Sequence, residues 1–427
     1  MLGKIRHIFL GACLLTGLLA SCEKIDTTST ADRHVMVMVA GGRNSLSSYI
    51  REDLKDLESG DLPAASRRAD NVLLVLSRVN RLYADYQSPC PAVLYRLYRG
   101  GGGEVHRDTL KTWDGFTPLF GKEILRDALI FVKDQFPAKD YGLVLSSHSS
   151  GWMPPGYYEK PEKFEGGSPQ DDDTWFSSVQ RRHANVARET FPPIQSDPPV
   201  KSIGQDIDRE ESVEMDLADF CAAIPYKMEY ILLDACLNGG VEVAWALREK
   251  TRYVGFSPTE VLADGFNYPL LVSRLLQDTP DPETVCRDYM DQYLTATRNA
   301  WATITLVDVE QMQPLSDICT VLFEKYRTQL RTLNGDLVQR YYRFNRHFFY
   351  DLRDILTQAG ATQEELSGVD AALSACIPYM AVTDYFFSIP MERCCGLSMY
   401  LPSMGSDYLD NYYKQRVDWN TATHLVN

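Results

Sequence analysis

The sequence predicts an α/β fold: a mostly parallel sheet sandwiched by helices, followed by a helix-rich C-terminal extension. Three observations predict it. Short runs such as His34–Ala40, Leu143–Leu145 and Ile231–Leu233 are apolar at consecutive positions, the pattern of a strand buried on both faces. These runs alternate with amphipathic helical stretches, as strands of a parallel sheet require. Two of them also stop abruptly at a reactive side chain, Leu143-Val144-Leu145-Ser146-Ser147-His148 and Tyr230-Ile231-Leu232-Leu233-Asp234-Ala235-Cys236. In parallel α/β sheets, functional groups gather where strands deliver their C-terminal ends.

In chain order, His34–Ala40 reads as the first strand. Gly41-Gly42-Arg43-Asn44 follows, and then a helix from about Leu46 to Leu57. Asn71–Leu76 and Ala92–Tyr98 are two further strands. The four glycines of Gly100–Gly103 lack the Gly-Lys-Ser/Thr or GxGxxG context of a phosphate loop and read as a hairpin. Gly121–Phe136 is an amphipathic helix leading into the His148 strand. Between Pro154 and Gly204 the periodicity disappears among proline pairs, Gly166-Gly167, Asp171-Asp172-Asp173 and Arg181-Arg182, so this stretch is a long loop, lid or processing segment. Helix is expected at Asp208–Ala223, then the Cys236 strand, a helix at Gly239–Lys250 and a strand at Tyr253–Ser257. Beyond Tyr268 the pattern predicts helices at Leu270–Leu276, Pro282–Ala296, Asp308–Asn334 and Asp336–Thr357, with strands at Thr303–Val307, Asp384–Ile389 and Gly396–Leu401. The expected organisation is therefore an α/β domain over 34–270 and a helix-and-strand subdomain over 271–427, the latter either separate or an added layer on the same sheet.

The first 22 residues read as a targeting segment. Lys4, Arg6 and His7 form a basic start, Ile8–Ala20 an apolar stretch, and Leu19-Ala20-Ser21-Cys22 resembles the bacterial lipoprotein signal, in which the cysteine is acylated. Residues 23–33 are then a polar tether, and Cys22 is the expected lipidation site. Acyl chains would hold the protein at a bacterial envelope membrane, the outer membrane by expectation, without spanning it. A net charge of −15 argues against nucleic acid as the main partner. Ten cysteines are present without a CxxC pair, and the seven histidines are scattered, which argues against a structural zinc site.

Cysteine attack on a carbonyl needs a thiolate, a nearby acid/base and donors for the oxyanion. Cys236 sits between a strand and an expected helix start, where a thiol pKa is lowered and backbone amides are available. Small residues follow both candidates: Asn238-Gly239-Gly240 after Cys236, and Ser149-Ser150-Gly151 after His148. From the residues alone a buried structural cysteine and a packing histidine are the commoner reading.

The same residues resemble the clostripain family of cysteine peptidases, in the clan that also holds caspases, legumains and gingipains. His148-Ser149-Ser150-Gly151-Trp152 is similar to the family's His-Gly-Gly-Gly-Trp, and Asp234-Ala235-Cys236 with Glu242-Val243-Ala244 to its Asp-Ala-Cys and Glu-Val-Ala. Ser257 through Asp264-Gly265-Phe266-Asn267-Tyr268 and the closing Gly396-Leu397-Ser398-Met399-Tyr400-Leu401-Pro402 also match in order and spacing, so the resemblance runs over about residues 34–402. Two departures stand out: Ser149 where the family has glycine, and Arg43-Asn44-Ser45-Leu46 where it has Asp-Asn-Asn-Leu.

The resemblance implies a caspase-haemoglobinase-like fold and a cysteine endopeptidase. Cys236 would be the nucleophile and His148 the acid/base, with the backbone amides near Ser149 and Cys236 binding the oxyanion. Asp234 and Asp264 would line the pocket for a basic P1 residue, so the expected partner is a protein or peptide substrate with Arg or Lys there. The family's activation by cleavage between the two site strands points to Lys160, Lys163, Arg181, Arg182 or Lys201. Calcium is the one cofactor the resemblance allows, with Asp171–Asp173 as ligands; none is required by the residues themselves. Glu242 reads as a structural helix acid. The alternatives are a catalytically weakened surface lipoprotein that binds or scaffolds, favoured by Ser149 and Arg43, and a transferase using the same dyad.

Overall fold

The structure, a computed structural model, describes residues 33–64, 71–158, 164, 203–209, 211–296, 300–344 and 347–427. The expected signal segment, Cys22, and Lys160, Lys163, Asp171–Asp173, Arg181, Arg182 and Lys201 of the long loop lie outside the described residues.

The apolar runs assemble side by side. Strand β1 (His34–Gly42) lies in the interior of a nine-stranded sheet, paired in parallel with β2 (Val72–Val79) on one side and with the middle strand β5 (Asp140–Ser146) on the other. Beyond β5 come β8 (Met228–Asp234) and β9 (Thr251–Phe256), also parallel. The edges are antiparallel. On one flank β2 is followed by β3 (Val93–Arg99) and β4 (Val105–Thr112). On the other, β9 is followed by β10 (Thr303–Asp308) and β12 (Tyr379–Val382). Alternation along each strand feeds two cores: Val35, Val37 and Val39 pack on one face, Met36, Met38 and Ala40 on the other. Each such fully buried side chain is worth about 1.5–3 kcal/mol.

Helices α1 (Ser47–Ser59), α5 (Tyr268–Leu275) and α6 (Pro282–Leu294) cover the face of Met36 and Met38. They do so through Ile50, Leu57, Leu271, Val272, Cys286 and Met290. The opposite face carries α2 (Ile124–Gln135), α3 (Leu217–Ala223), α4 (Val241–Ala246) and the C-terminal helices. Residues 271–427 supply β10 and β12 to the central sheet, so this segment is built onto the same sheet as residues 34–270.

Several elements differ from the sequence reading. Where helix was expected from Asp208, the chain forms a hairpin of β6 (Ile203–Asp208) and β7 (Glu211–Met215), with Arg209 at φ 59, and helix starts only at Leu217, capped by Asp216. The reason is tertiary. The Gly204 N–H donates to His148 O (2.9 Å), the Gln205 N–H to Ser147 Oγ (3.3 Å) and the Ile207 N–H to Arg43 O (2.7 Å), which hold β6 extended across the ends of β1 and β5.

The helix expected over Asp336–Thr357 is confined to α9 (Leu352–Gln358). Residues 338–344 and 347–349 run irregularly, with Tyr341, Tyr342, Phe348, Phe349 and Tyr350 all buried. Such spacing suits neither a helix face nor a strand face. Asp384–Ile389 and Gly396–Leu401 form only the short pieces β13 (Tyr385–Phe386), β14 (Ile389–Pro390) and β15 (Ser398–Met399), outside the main sheet. The Gly100–Gly103 turn joins β3 to β4; the polar edge strand β4 had gone unread because it alternates without an apolar run.

Candidate active site

Register decides which strand ends meet. β5 and β8 are neighbours, and their last paired residues are Ser146 and Asp234. His148 and Cys236 each follow two residues later, so both emerge at the same C-terminal edge of the sheet, on adjacent strands.

The two turns are fastened to each other. The Ser149 hydroxyl donates to Asn238 Oδ1 (2.9 Å) and accepts from the Gly151 N–H (3.1 Å). Asn238 Nδ2 in turn donates to the carbonyls of Ala235 (3.1 Å) and Cys236 (3.3 Å). Gly151 has φ +60, and a Cβ there would sit 2.5 Å from Leu237 O, so only glycine lets the His turn close against the Cys turn. Among the described residues, the backbone N–H groups of Ser149 and Cys236 donate no hydrogen bond. Two amides expected to bind an oxyanion are thus uncommitted within the protein.

His148 is buried, and its Nε2 lies 2.9 Å from the Ser45 hydroxyl, beyond the end of β1. Asn44 braces that turn by donating to Gly41 O (2.9 Å) and Gln205 O (2.9 Å). Arg43, the departure from the family pattern, points away from the dyad. Its guanidinium donates to Asp208 (2.9 Å), Asn80 (2.7 Å) and the carbonyls of Asp85, Tyr86 and Ser88 (3.0, 3.0 and 2.9 Å). It clamps the 85–88 loop and the β6–β7 hairpin rather than touching His148.

The Cys236 thiol is 9% exposed; it accepts from the Val261 N–H (3.4 Å) and faces Val261 O (3.8 Å). Burial pushes this thiol up to about 12, with the Glu260 carboxylate adding to the rise and the Val261 N–H and Arg343 opposing it. Glu260 is buried and paired with Arg343, Nε to Oε1 2.9 Å. Burial and the neighbouring carboxylate thus favour the protonated thiol.

Asp234 and Asp264 share one neighbourhood. Asp234 is buried at the end of β8 and accepts from the Phe266 N–H (3.3 Å) and from the Tyr268 hydroxyl. Burial raises its carboxyl to about 6, against the pull of those two donors. Gly265, at φ +55, packs so closely that a Cβ would lie 2.3 Å from Asp234 Oδ2, and the preceding Asp264 is exposed at the rim. Glu242 lies elsewhere. Its Oε1 accepts from the Tyr400 N–H and the Tyr413 hydroxyl (both 2.8 Å), tying α4 to the C-terminal segment. Among the described residues no group of three His, Cys, Asp or Glu side chains has the arrangement of a metal site, and no helix is long and apolar enough to cross a membrane.

Sequence reasoning missed Ser45, Asn238, Glu260 and Arg343. Ser45 sits inside a run singled out for its neighbour Arg43. Asn238 follows Cys236 directly, but its bridging role needs Ser149 from another strand. Glu260 and Arg343 carried no local signal, since their meeting depends on the irregular path of residues 338–344.

Residues 193–385 match the model of the clostripain family, a span that holds Asp234, Cys236 and Asp264 but not His148. None of the curated proteins matches the chain. Among solved structures, an inactive zymogen C11 protease from Parabacteroides distasonis is 22% identical with a TM-score of 0.69, covering 92% of this chain and 99% of its own. A secreted C11 cysteine protease from Bacteroides thetaiotaomicron is 20% identical with a TM-score of 0.68 and the same coverage, 92% and 99%. A secreted C11 cysteine protease from that species in complex with an irreversible peptide inhibitor gives 20%, 0.67, 92% and 99%. At these identities the structural likeness speaks for the fold, a helix-covered sheet of the caspase-like C11 type, while the family match speaks for the class. The stretch 193–385 is thus similar to the clostripain family of cysteine peptidases, on a fold shared with C11 proteases over 92% of the chain.

Proposed function

We propose that this peptidase is an envelope-anchored endopeptidase that cleaves after Arg or Lys through His148 and Cys236. The observation that carries the reading is the β5–β8 register, which sends both side chains out of one sheet edge two residues beyond Ser146 and Asp234. His148 takes the Cys236 proton, and the thiolate adds to the scissile carbonyl, forming a C–S bond. The oxyanion is held by the uncommitted amides of Ser149 and Cys236. Collapse breaks the C–N bond as His148 returns the proton to the leaving amine. Water then adds to the thioester, giving its proton to His148, and the acid product leaves as the thiol is regenerated.

The acids Asp234 and Asp264 beside the nucleophile suit a guanidinium or ammonium group in the P1 position. Anchoring through Cys22 and self-processing at basic residues of the 154–204 loop complete the proposal, with calcium as a ligand the reading allows and does not require. The burial that favours the protonated Cys236 thiol suits a latent chain that opens on processing. The same observation is what a catalytically weakened binding lipoprotein would present.

The test uses the soluble chain starting after Cys22 and fluorogenic peptides ending in Arg, Lys, Asp, Asn or Leu, with and without calcium, beside Cys236→Ala and His148→Ala. Cleavage after Arg or Lys, lost in both variants, is the expected result. No cleavage of any peptide, even after trimming the loop with trypsin, would favour the binding protein.

A further inference from the structure

Helix α1 carries an acid on its buried face. Ile50, Asp53 and Leu57 fall on one side of the helix, and Asp53 is only 7% exposed. Buried carboxylates are ordinarily paired or hydrogen-bonded. Among the described residues Asp53 forms neither an ion pair nor a hydrogen bond. The charges that act on it are Asp234 at the end of β8, Asp56 and Glu52 on its own helix, and Asp264 in the loop before α5, all of them acids. The phenols of Tyr268 on α5 and Tyr293 on α6 face the same group.

A second observation points to a ligand at this cluster. Among the described residues, the Tyr293 hydroxyl, 3% exposed and surrounded by the charges of Asp234, Asp264 and Asp53, has no hydrogen-bond partner. Nor has the Tyr289 hydroxyl, which is 1% exposed and within electrostatic reach of both Asp234 and Cys236. Three carboxyls and two unpartnered phenols thus share one neighbourhood with the nucleophile. A cation with several N–H groups is the chemistry that would satisfy them.

We propose that Asp53 is a third carboxylate of the P1 recess and a specificity-determining residue, accepting from the guanidinium of an arginine side chain that Asp234 and Asp264 admit. The inference rests on the peptidase reading above and deepens it. Arginine is favoured over lysine because its fork of five donors can engage several acceptors at once.

A proton is coupled to the binding. Burial, with Asp234 next, pushes the Asp53 carboxyl up to about 9, which favours the uncharged acid at neutral pH. A bound guanidinium favours the carboxylate. The Asp53 O–H bond then breaks, its proton leaves to solvent, and the anion pairs with the cation. Binding of a P1 cation therefore strengthens as pH rises toward 9.

The experiment compares peptides with arginine or with its neutral isostere citrulline at P1, in wild type and Asp53→Asn, from pH 6 to 9. The ratio of their kcat/KM values cancels the titration of His148 and Cys236. The expected result is a ratio that climbs with pH up to 9 in wild type and, in Asp53→Asn, is at least ten-fold lower and flat above pH 7, where Asp234 is already ionised. Asp53→Ala gives the same comparison should the asparagine chain misfold.

A parallel measurement needs no turnover: calorimetry of agmatine binding to Cys236→Ala in two buffers of different ionisation enthalpy. Release of about one proton, absent when Asp53→Asn is added, supports the proposal. An unchanged ratio and no proton release overturn the role of Asp53 while leaving the peptidase reading intact. Failure of wild type to cleave the arginine peptide removes that reading, and failure to bind agmatine then removes this one as well.

Discussion

The Ser45 hydroxyl lies 2.9 Å from His148 Nε2, which places a partner from beyond β1 on the imidazole expected to act as acid and base. A hydrogen bond of this kind contributes about 1 kcal/mol net. Ser45→Ala is expected to lower kcat by up to about ten-fold while KM moves less than two-fold, because the ring loses its orientation and the substrate contacts do not change. Ser45→Thr, which keeps the hydroxyl, should recover most of the loss. An equal fall in Ser45→Thr and Ser45→Ala would assign the effect to packing. An altered acid limb of the pH–kcat/KM profile in Ser45→Ala would separate positioning from a fold defect.

Ser149 stands where the family has glycine, and its side chain joins the two turns through Asn238 and the Gly151 N–H. The backbone amide survives any substitution here. Ser149→Gly is therefore expected to lose stability, on the order of 1–2 kcal/mol for two hydrogen bonds and a more flexible backbone, with kcat reduced less than ten-fold. Thermal unfolding and single-turnover kinetics on one preparation read the two effects separately. A hundred-fold loss of kcat with unchanged melting would mean that the hydroxyl itself contacts the reacting group.

These two positions indicate what the sequence could and could not tell. The parallel core was legible because β1, β5 and β8 are apolar at consecutive positions, and the strand ends were legible because each apolar run breaks at His148 or Cys236. The polar edge strand β4 was invisible, since half its residues face solvent and no run forms. Strand β7 and the stretches 338–344 and 347–349 read as helix because their local composition tolerates it, and contacts distant in sequence override that preference. Asp53 did carry a signal, an acid on an apolar helix stripe between Ile50 and Leu57, but its significance depends on Asp234 from a strand nearly two hundred residues away. Arg43 stands out in the sequence for the aspartate it replaces, whereas its five side-chain hydrogen bonds run to Asp208 at the end of β6 and to Asn80, Asp85, Tyr86 and Ser88, which no local pattern links to it.

Arg43 is buried, at 1% exposure, and holds Asp208, Asn80 and three carbonyls. Removing the buried cation takes a donor from each of these acceptors, of which Asp208 keeps Arg78 and Tyr86 O keeps the Arg209 N–H. Arg43→Ala is expected to cost about 3–5 kcal/mol, comparable to breaking other buried pairs, although Arg78 remains on Asp208 at 2.7 Å and softens the loss. Arg43→Lys should recover little of it, because one ammonium cannot reproduce the planar fork. Chemical denaturation measures the cost directly. Proteolysis should find the 85–88 loop and the β6–β7 hairpin first, since Arg43 joins them. A chain of wild-type stability would show that Arg78 alone holds the hairpin.

The last prediction concerns the resting thiol. Burial and Glu260 raise Cys236, while the Val261 N–H and Arg343 act in the opposite sense, and the sum is a thiol near 12. Only the thiolate reacts with alkylating reagents. Labelling of the peptide that carries Cys236 by iodoacetamide should therefore be slow at pH 7 and rise about ten-fold per pH unit through pH 9, because the deprotonated fraction grows by that factor below the pKa. Glu260→Gln removes the anion beside the sulfur and releases the Arg343 guanidinium from its 2.9 Å pairing, and both changes favour the thiolate. Labelling at any pH in this range should then be several-fold faster, with the ten-fold slope retained. Mass spectrometry of timed samples resolves Cys236 from the other free cysteines. If Glu260→Gln labels no faster than wild type, burial alone sets the thiol, and the Glu260–Arg343 pair is a structural clasp with no hold on the nucleophile.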